Sequence, residues 1–230
     1  HAILWLSKIS GRPRPRKLDS AVVINAKLRP GWDKLMRPVG RWLARTPLSP
    51  DAVTLLGVLI QIGVAVLILQ GHLLIAGLIA IVAALSDGFD GALAKAQGKT
   101  SNFGALLDST TDRVADALYF IPIAWLYGVS PDVPSRGSHL VAGLALFAFV
   151  ASFVVSYLKA RAESLGFDCN VGIAERAERL IILIAALILD HVLFDKGVLF
   201  GVSILAVLAA VTVLQRFFHV RRQARDVVPV

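Results

Sequence analysis

The sequence predicts an all-α integral membrane protein in which six transmembrane helices follow an amphipathic interfacial helix. Three observations predict it. Apolar residues make up 56% of the 230 positions, and a mean hydropathy of +0.70 is too high for an ordinary soluble domain. Those residues gather in six stretches, each near the roughly 20 residues a helix needs to cross a bilayer. Basic residues are unevenly shared between the connections of those stretches.

In chain order, residues 1–20 carry an Arg-Pro alternation and read as a linker or the remnant of a preceding domain or fusion. Residues 21–46 hold the juxtamembrane helix. Trp32, Leu35, Met36, Val39 and Leu43 share one helical face while Lys34, Arg37, Arg41 and Arg45 share another, the pattern of a helix lying on the cytoplasmic leaflet. Pro47 and Pro50 close that helix and open the transmembrane domain, 47–220. Its spans are expected at 51–69, 73–94, 103–127, 139–158, 180–194 and 198–218, with Asp190 and His191 shortening the fifth apolar run. Residues 221–230 form a tail.

Of the 24 Lys and Arg residues, only Arg136 and Lys196 fall in loops opposite the N-terminus. The positive-inside rule then places both termini in the cytoplasm, in a multi-pass protein of the cell membrane. The formal net charge is +8, which in such a protein suits anionic headgroups and phosphorylated substrates rather than nucleic acid. The single cysteine, Cys169, excludes an intramolecular disulfide and a cysteine-based metal site.

The segment SDGFDGALAKAQGKTSNFGALLDSTTD, which begins at Ser86, breaks the apolar pattern. A carboxylate at the bilayer centre costs roughly 2.5–3.5 kcal/mol, so four would oppose insertion by about 10 kcal/mol unless compensated. Asp87 and Asp90 are spaced i, i+3 and Asp108 and Asp112 i, i+4, so each pair lies on one face and two facing helices can converge all four. Hard oxygen ligands in that number suit Mg²⁺, Mn²⁺ or Ca²⁺. Gly88, Gly91 and Gly104 let a backbone or a flat base approach these helices, although helix packing alone would also use them. Asp116 continues the row and reads as structural, with Arg113 as its partner. Asp51 precedes an apolar helix, where it could serve as an N-cap, and Ser101 could cap the helix before Phe103.

Asp87, Asp90, Gly91 and Ala94, followed by Gly104, Asp108 and Asp112, match the pattern DxxDGxxAR…GxxxDxxxD at seven of eight positions. The chain thereby resembles the CDP-alcohol phosphotransferase family. The departure is Lys95 where the family usually has Arg, which keeps the charge and loses the planar fork. The resemblance implies two divalent ions, Mg²⁺ or Mn²⁺, held by Asp87, Asp90, Asp108 and Asp112, with Asp112 also acting as general base. It further implies donor contacts from Asp51, Thr54, Gly91, Lys95 and Ser101 to CDP-diacylglycerol, and a homodimer.

The acceptor is argued from the second half of the chain. SYLKARAE closes the fourth span, ERAERL opens the fifth and Arg216 lies near the end of the sixth. Lys159, Arg176 and Arg216 are the expected contacts to an acceptor phosphate, while Arg221, Arg222 and Arg225 read as membrane anchors. Those strings resemble the actinobacterial phosphatidylinositol phosphate synthase branch of the family, which implies inositol 1-phosphate as acceptor. The glycerol 3-phosphate branch is the nearest alternative. Intramembrane carboxylates also occur in cation transporters, but here they gather near one surface, with no inverted repeat in the sequence. A metal-dependent prenyltransferase would also pair aspartate-rich helices, without the Gly91 and Gly104 pattern.

Overall fold

The computed structural model describes residues 36, 38–98, 101–130, 138–190, 192–193 and 196–227. Among these, six α-helices follow one another: α1 Pro50–Leu69, α2 Leu73–Gln97, α3 Asn102–Gly128, α4 Ser138–Ser164, α5 Arg176–Leu189 and α6 Gly197–Val227. Each falls on one of the six expected apolar stretches. Four of them, α1, α2, α4 and α6, are long and apolar enough to cross a membrane by length and composition. The other two fall outside that criterion for visible reasons: α5 has only 14 residues, and α3 carries Asp108, Asp112, Arg113 and Asp116.

Helix ends depart from the expected ones where side chains reach across elements. The fifth helix starts at Arg176 and stops at Leu189 instead of running over 180–194. The stop has a cause in Asp190, which is 5% exposed. Its Oδ1 accepts the Val198 N–H of the first turn of α6 at 2.7 Å, and its Oδ2 accepts the Tyr127 hydroxyl at 3.3 Å. A carboxylate is thus spent on the open N–H groups at the start of the next helix. α1 is capped by Ser49, whose hydroxyl accepts the Ala52 N–H at 3.2 Å. Asp51 is therefore not the N-cap; it lies exposed in the first turn. Ser101 does cap α3, accepting the Gly104 N–H at 2.9 Å.

The six helices form a closed ring. α1 packs on α2 and α3, α3 on α4, α4 on α6, α6 on α5, and α5 returns to α2. Inside it, Ile68, Ile123, Leu187 and Leu205 interleave with Ala76, Ala80, Ala145 and Ala148, all fully buried or nearly so. Alternating large and small residues is what lets helices interlock at close distance. Outside, Leu59, Val82, Val150 and Val207 are each more than half exposed, a surface suited to lipid.

Of the expected amphipathic helix, only Met36 and residues from 38 onward are described; Trp32, Lys34, Leu35 and Arg37 lie outside the described residues. Residues 38–43 are helical. Met36 is buried and Trp42 is 65% exposed. This helix rests on α2 at Gly40, where a Cβ would come within 2.6 Å of the Ala92 carbonyl oxygen.

One face of α6 pins the α4–α5 connection. Thr212 accepts the Ala174 N–H at 3.4 Å, Gln215 the Ile173 N–H at 3.2 Å and Gln223 the Asp168 N–H at 3.0 Å. Arg216, 4% exposed, donates to the Val171 carbonyl at 2.9 Å and to the Val155 carbonyl at 2.6 Å. The pinned connection contains the buried Cys169 and leads directly into Arg176.

Candidate active site

Four helices wall one pocket. α2 supplies Asp87 and Asp90, α3 supplies Asp108, Thr111 and Asp112, α1 supplies Thr54, Val58 and Gln61, and α5 supplies Arg176. The α1 residues recur at i, i+4 and i+7, a single helical face. That face comes close to α2 because position 57 is glycine: a Cβ there would stand 3.1 Å from Ser86 Oγ and 3.5 Å from Asp87 Oδ1.

The carboxylates are oriented by neighbours on their own helix and on others. The Thr54 hydroxyl donates to Asp90 Oδ2, and the Gly91 N–H donates to Asp90 Oδ1 at 2.6 Å. Gln61 Nε2 donates to Asp87 Oδ1 at 3.4 Å. Arg176 spans the pocket, with Nη2 2.9 Å from Asp87 Oδ2 and Nη1 2.8 Å from Asp112 Oδ1. Among the described residues no three carboxylates converge on one point at ligand distance; the guanidinium lies between two of them. The donor set still fits hard divalent cations: four carboxylates, all oxygen, line one pocket, and they outnumber the cationic group that faces them.

The sequence expectations divide. The pocket brings together Asp87, Asp90, Asp108, Asp112, Thr54 and Arg176, whereas Asp51, Gly91, Lys95, Ser101, Lys159 and Arg216 lie outside its lining. A Cβ at Gly91 would meet nothing within 4 Å, so the protein's own packing does not require that glycine, while at Gly104 it would meet only Ser101 Oγ at 3.2 Å. Asp116 sits 3.8 Å from Arg113, the partner the spacing suggested.

Arg176 is not an isolated cation. Arg179, 5% exposed, donates to the Ala174 carbonyl at 3.1 Å and lies 4.0 Å from Asp116. It is within electrostatic reach of Arg113, Arg176 and Arg216. Lys159 and Arg216 both act on Cys169, away from the pocket lining, and Arg216 is committed to the Val171 and Val155 carbonyls. Burial pushes the Cys169 thiol up from its ordinary value, against the opposite pull of Arg216. Of the pocket lining, the sequence reading missed Val58, Gln61 and Thr111. Arg113 and Arg179, which meet at Asp116 beside the pocket, entered that reading only as an ion-pair partner and as part of the string ERAERL.

Known proteins share this sequence pattern and fold. Residues 47–220 match the family model for CDP-alcohol phosphatidyltransferase, and the chain belongs to that family of metal-dependent enzymes. The phosphatidylinositol phosphate synthase of Mycolicibacterium smegmatis is 40% identical over 197 residues, which cover 84% of this chain and 86% of that one. A crystal structure of the Mycobacterium tuberculosis phosphatidylinositol phosphate synthase with CDP-DAG bound is similar with a TM-score of 0.72 and 33% identity, covering 81% of this chain and 94% of that one. The same enzyme in complex with manganese and citrate gives a TM-score of 0.73 at 33% identity, over 80% and 88% of the two chains.

Proposed function

We propose that this chain transfers the phosphatidyl group of CDP-diacylglycerol to inositol 1-phosphate, giving phosphatidylinositol phosphate and CMP. The observation that carries the reading is the single pocket in which the four motif aspartates meet Thr54 and Arg176 beside a region of buried arginines. Relatives named for that product support the choice of acceptor.

In this reading Asp87, Asp90, Asp108 and Asp112 hold two Mg²⁺ or Mn²⁺ ions, which when bound neutralise charge on the diphosphate oxygens. Asp112 takes the proton of the attacking inositol hydroxyl. That oxygen bonds to the lipid-side phosphorus, the bond from this phosphorus to the bridging oxygen breaks, and CMP leaves with the bridging oxygen. Thr54 keeps Asp90 turned into the pocket, and Asp51, Gly91, Lys95 and Ser101 contact the donor. Lys159, Arg176 and Arg216 take the acceptor phosphate, with Arg113 and Arg179 adding to the positive field that draws it in.

The same reading makes all six helices membrane-spanning, with the polar ends of α3 and α5 at the cytoplasmic surface. Both termini and the pocket face the cytoplasm, residues 21–46 lie on that leaflet, and the protein works as a homodimer.

The test is CMP release by the purified protein with CDP-diacylglycerol and Mg²⁺, offered inositol 1-phosphate, free inositol, glycerol 3-phosphate or serine. Release only with inositol 1-phosphate, lost in Asp112→Asn, is the expected result. Turnover with glycerol 3-phosphate instead would keep the donor chemistry and overturn the acceptor assignment.

A further inference from the structure

Gln61 is the buried polar residue of the pocket that the family motif does not account for. It is 3% exposed, in the middle of α1. A carboxamide in such a place costs stability unless both of its ends are partnered. The donor end is: Nε2 faces Asp87 Oδ1 at 3.4 Å. The acceptor end is not, because Oε1 is buried and has no hydrogen-bond partner among the described residues.

The orientation is dictated by chemistry. An ionised carboxylate only accepts, so the amide nitrogen must face Asp87 and the oxygen is turned away from it. Gln61 also lines the pocket that the four aspartates line, so the group that completes Oε1 is one that enters that pocket. It must be a donor. Small divalent cations keep several waters when bound by carboxylates, and a water on a dication is a strong hydrogen-bond donor. A glutamine, unlike a glutamate, can do this while also donating to Asp87.

We propose that Gln61 is a positioning residue of the metal site: its amide N–H orients Asp87, and its Oε1 accepts a hydrogen bond from a water bound to the divalent cation. The inference rests on the metal-dependent reading of the pocket and adds to it a residue outside the aspartate motif. Such outer partners of metal ligands typically contribute 10- to 100-fold in affinity.

The experiment compares Mn²⁺ binding by the wild-type protein, Gln61→Met and Gln61→Glu in detergent, read by the free-ion signal in electron paramagnetic resonance, with thermal unfolding of the metal-free proteins alongside. Methionine conserves volume and removes both hydrogen bonds, so Gln61→Met should fold and bind Mn²⁺ at least about 10-fold more weakly. Glutamate keeps an acceptor towards the metal-bound water but loses the donor to Asp87, so Gln61→Glu should bind more weakly than wild type and more tightly than Gln61→Met. A residue that only fills space between α1 and α2 would give the reverse, methionine harmless and glutamate disruptive, and that result overturns the proposal. Wild-type affinity in Gln61→Met, or no Mn²⁺ binding by wild type, overturns it as well. CMP release by wild type is followed separately: absence of release with inositol 1-phosphate, together with Gln61-dependent Mn²⁺ binding, would reject the proposed acceptor and leave this inference standing.

Discussion

Arg176 Nη1 lies 2.8 Å from Asp112 Oδ1, and the contact ties α5 to α3, two helices that do not pack on each other in the ring. The other arm of the same guanidinium reaches Asp87 on α2. One planar fork therefore fixes three helices at the carboxylate proposed to receive the proton.

This relationship predicts that lysine cannot replace Arg176. An ammonium keeps the charge but has no rigid fork to hold two carboxylates at once. CMP release by Arg176→Lys should fall by about 10- to 100-fold, part of the roughly 10²- to 10⁴-fold that a positioned proton acceptor contributes. Arg176→Gln should lose more activity while binding Mn²⁺ more tightly, because guanidinium and cation compete for the same oxygens. Steady-state CMP release and a Mn²⁺ titration on both variants check this, and a wild-type rate in Arg176→Lys would show that the fork is dispensable.

The aspartate pocket predicts that metal stabilises the fold. A ligand that binds only the native state adds about 2.7 kcal/mol at a free concentration 100-fold above its Kd. Thermal unfolding in detergent should therefore move upward with Mn²⁺ or Mg²⁺ and return to its starting point with a chelator, which should also abolish CMP release. Asp90→Asn and Asp108→Asn should remove the shift. An unchanged shift in either variant would take that aspartate out of the ligand set.

The positions of the helices and of the four aspartates were legible in the sequence for physical reasons. Long apolar runs have few alternatives to helix in lipid, and four carboxylates among them demand compensation. The fifth helix was misjudged at both ends because its limits are set by distant partners: Asp190 is spent on Val198 and Tyr127, and the run-up to Arg176 is pinned by Thr212 and Gln215 of α6. Arg176 was read as a phosphate contact, yet its nearest partners are Asp87 and Asp112. Charge was visible in the string ERAER, but which helices closed the ring was not. Gln61 carried no signal at all, since a single polar residue in an apolar span acquires meaning only once the facing helix is known.

Arg216 predicts a loop that opens without unfolding the ring. It holds the Val171 and Val155 carbonyls from a buried position, and each charge-assisted bond is worth about 1.5–3 kcal/mol. Arg216→Met should lower thermal stability by a few kcal/mol on that basis. Cys169, the single cysteine, reports where the loss occurs. Arg216 favours its thiolate, so removing that charge from an otherwise closed loop should slow maleimide labelling. If the connection opens, labelling should accelerate instead, and acceleration at temperatures well below global unfolding is the expected result. Slower labelling would mean that Thr212, Gln215 and Gln223 suffice to hold the connection.

Gly57 predicts how closely α1 must approach α2. A Cβ there would stand 3.1 Å from Ser86 Oγ, a hydroxyl already donating to the Ala83 carbonyl at 2.7 Å. Alanine asks that hydroxyl to yield slightly and recovers about 1 kcal/mol of helix propensity, so Gly57→Ala should retain stability and most of the activity. Leucine cannot be accommodated that way. Overpacking of this size costs about 1–3 kcal/mol, and the outward shift of α1 would carry Thr54 away from Asp90 and Gln61 away from Asp87. Gly57→Leu should therefore lose the metal-induced thermal shift along with CMP release, even where the metal-free protein still folds. A Gly57→Leu protein that keeps its full Mn²⁺ shift would show that the aspartates need no wall from α1.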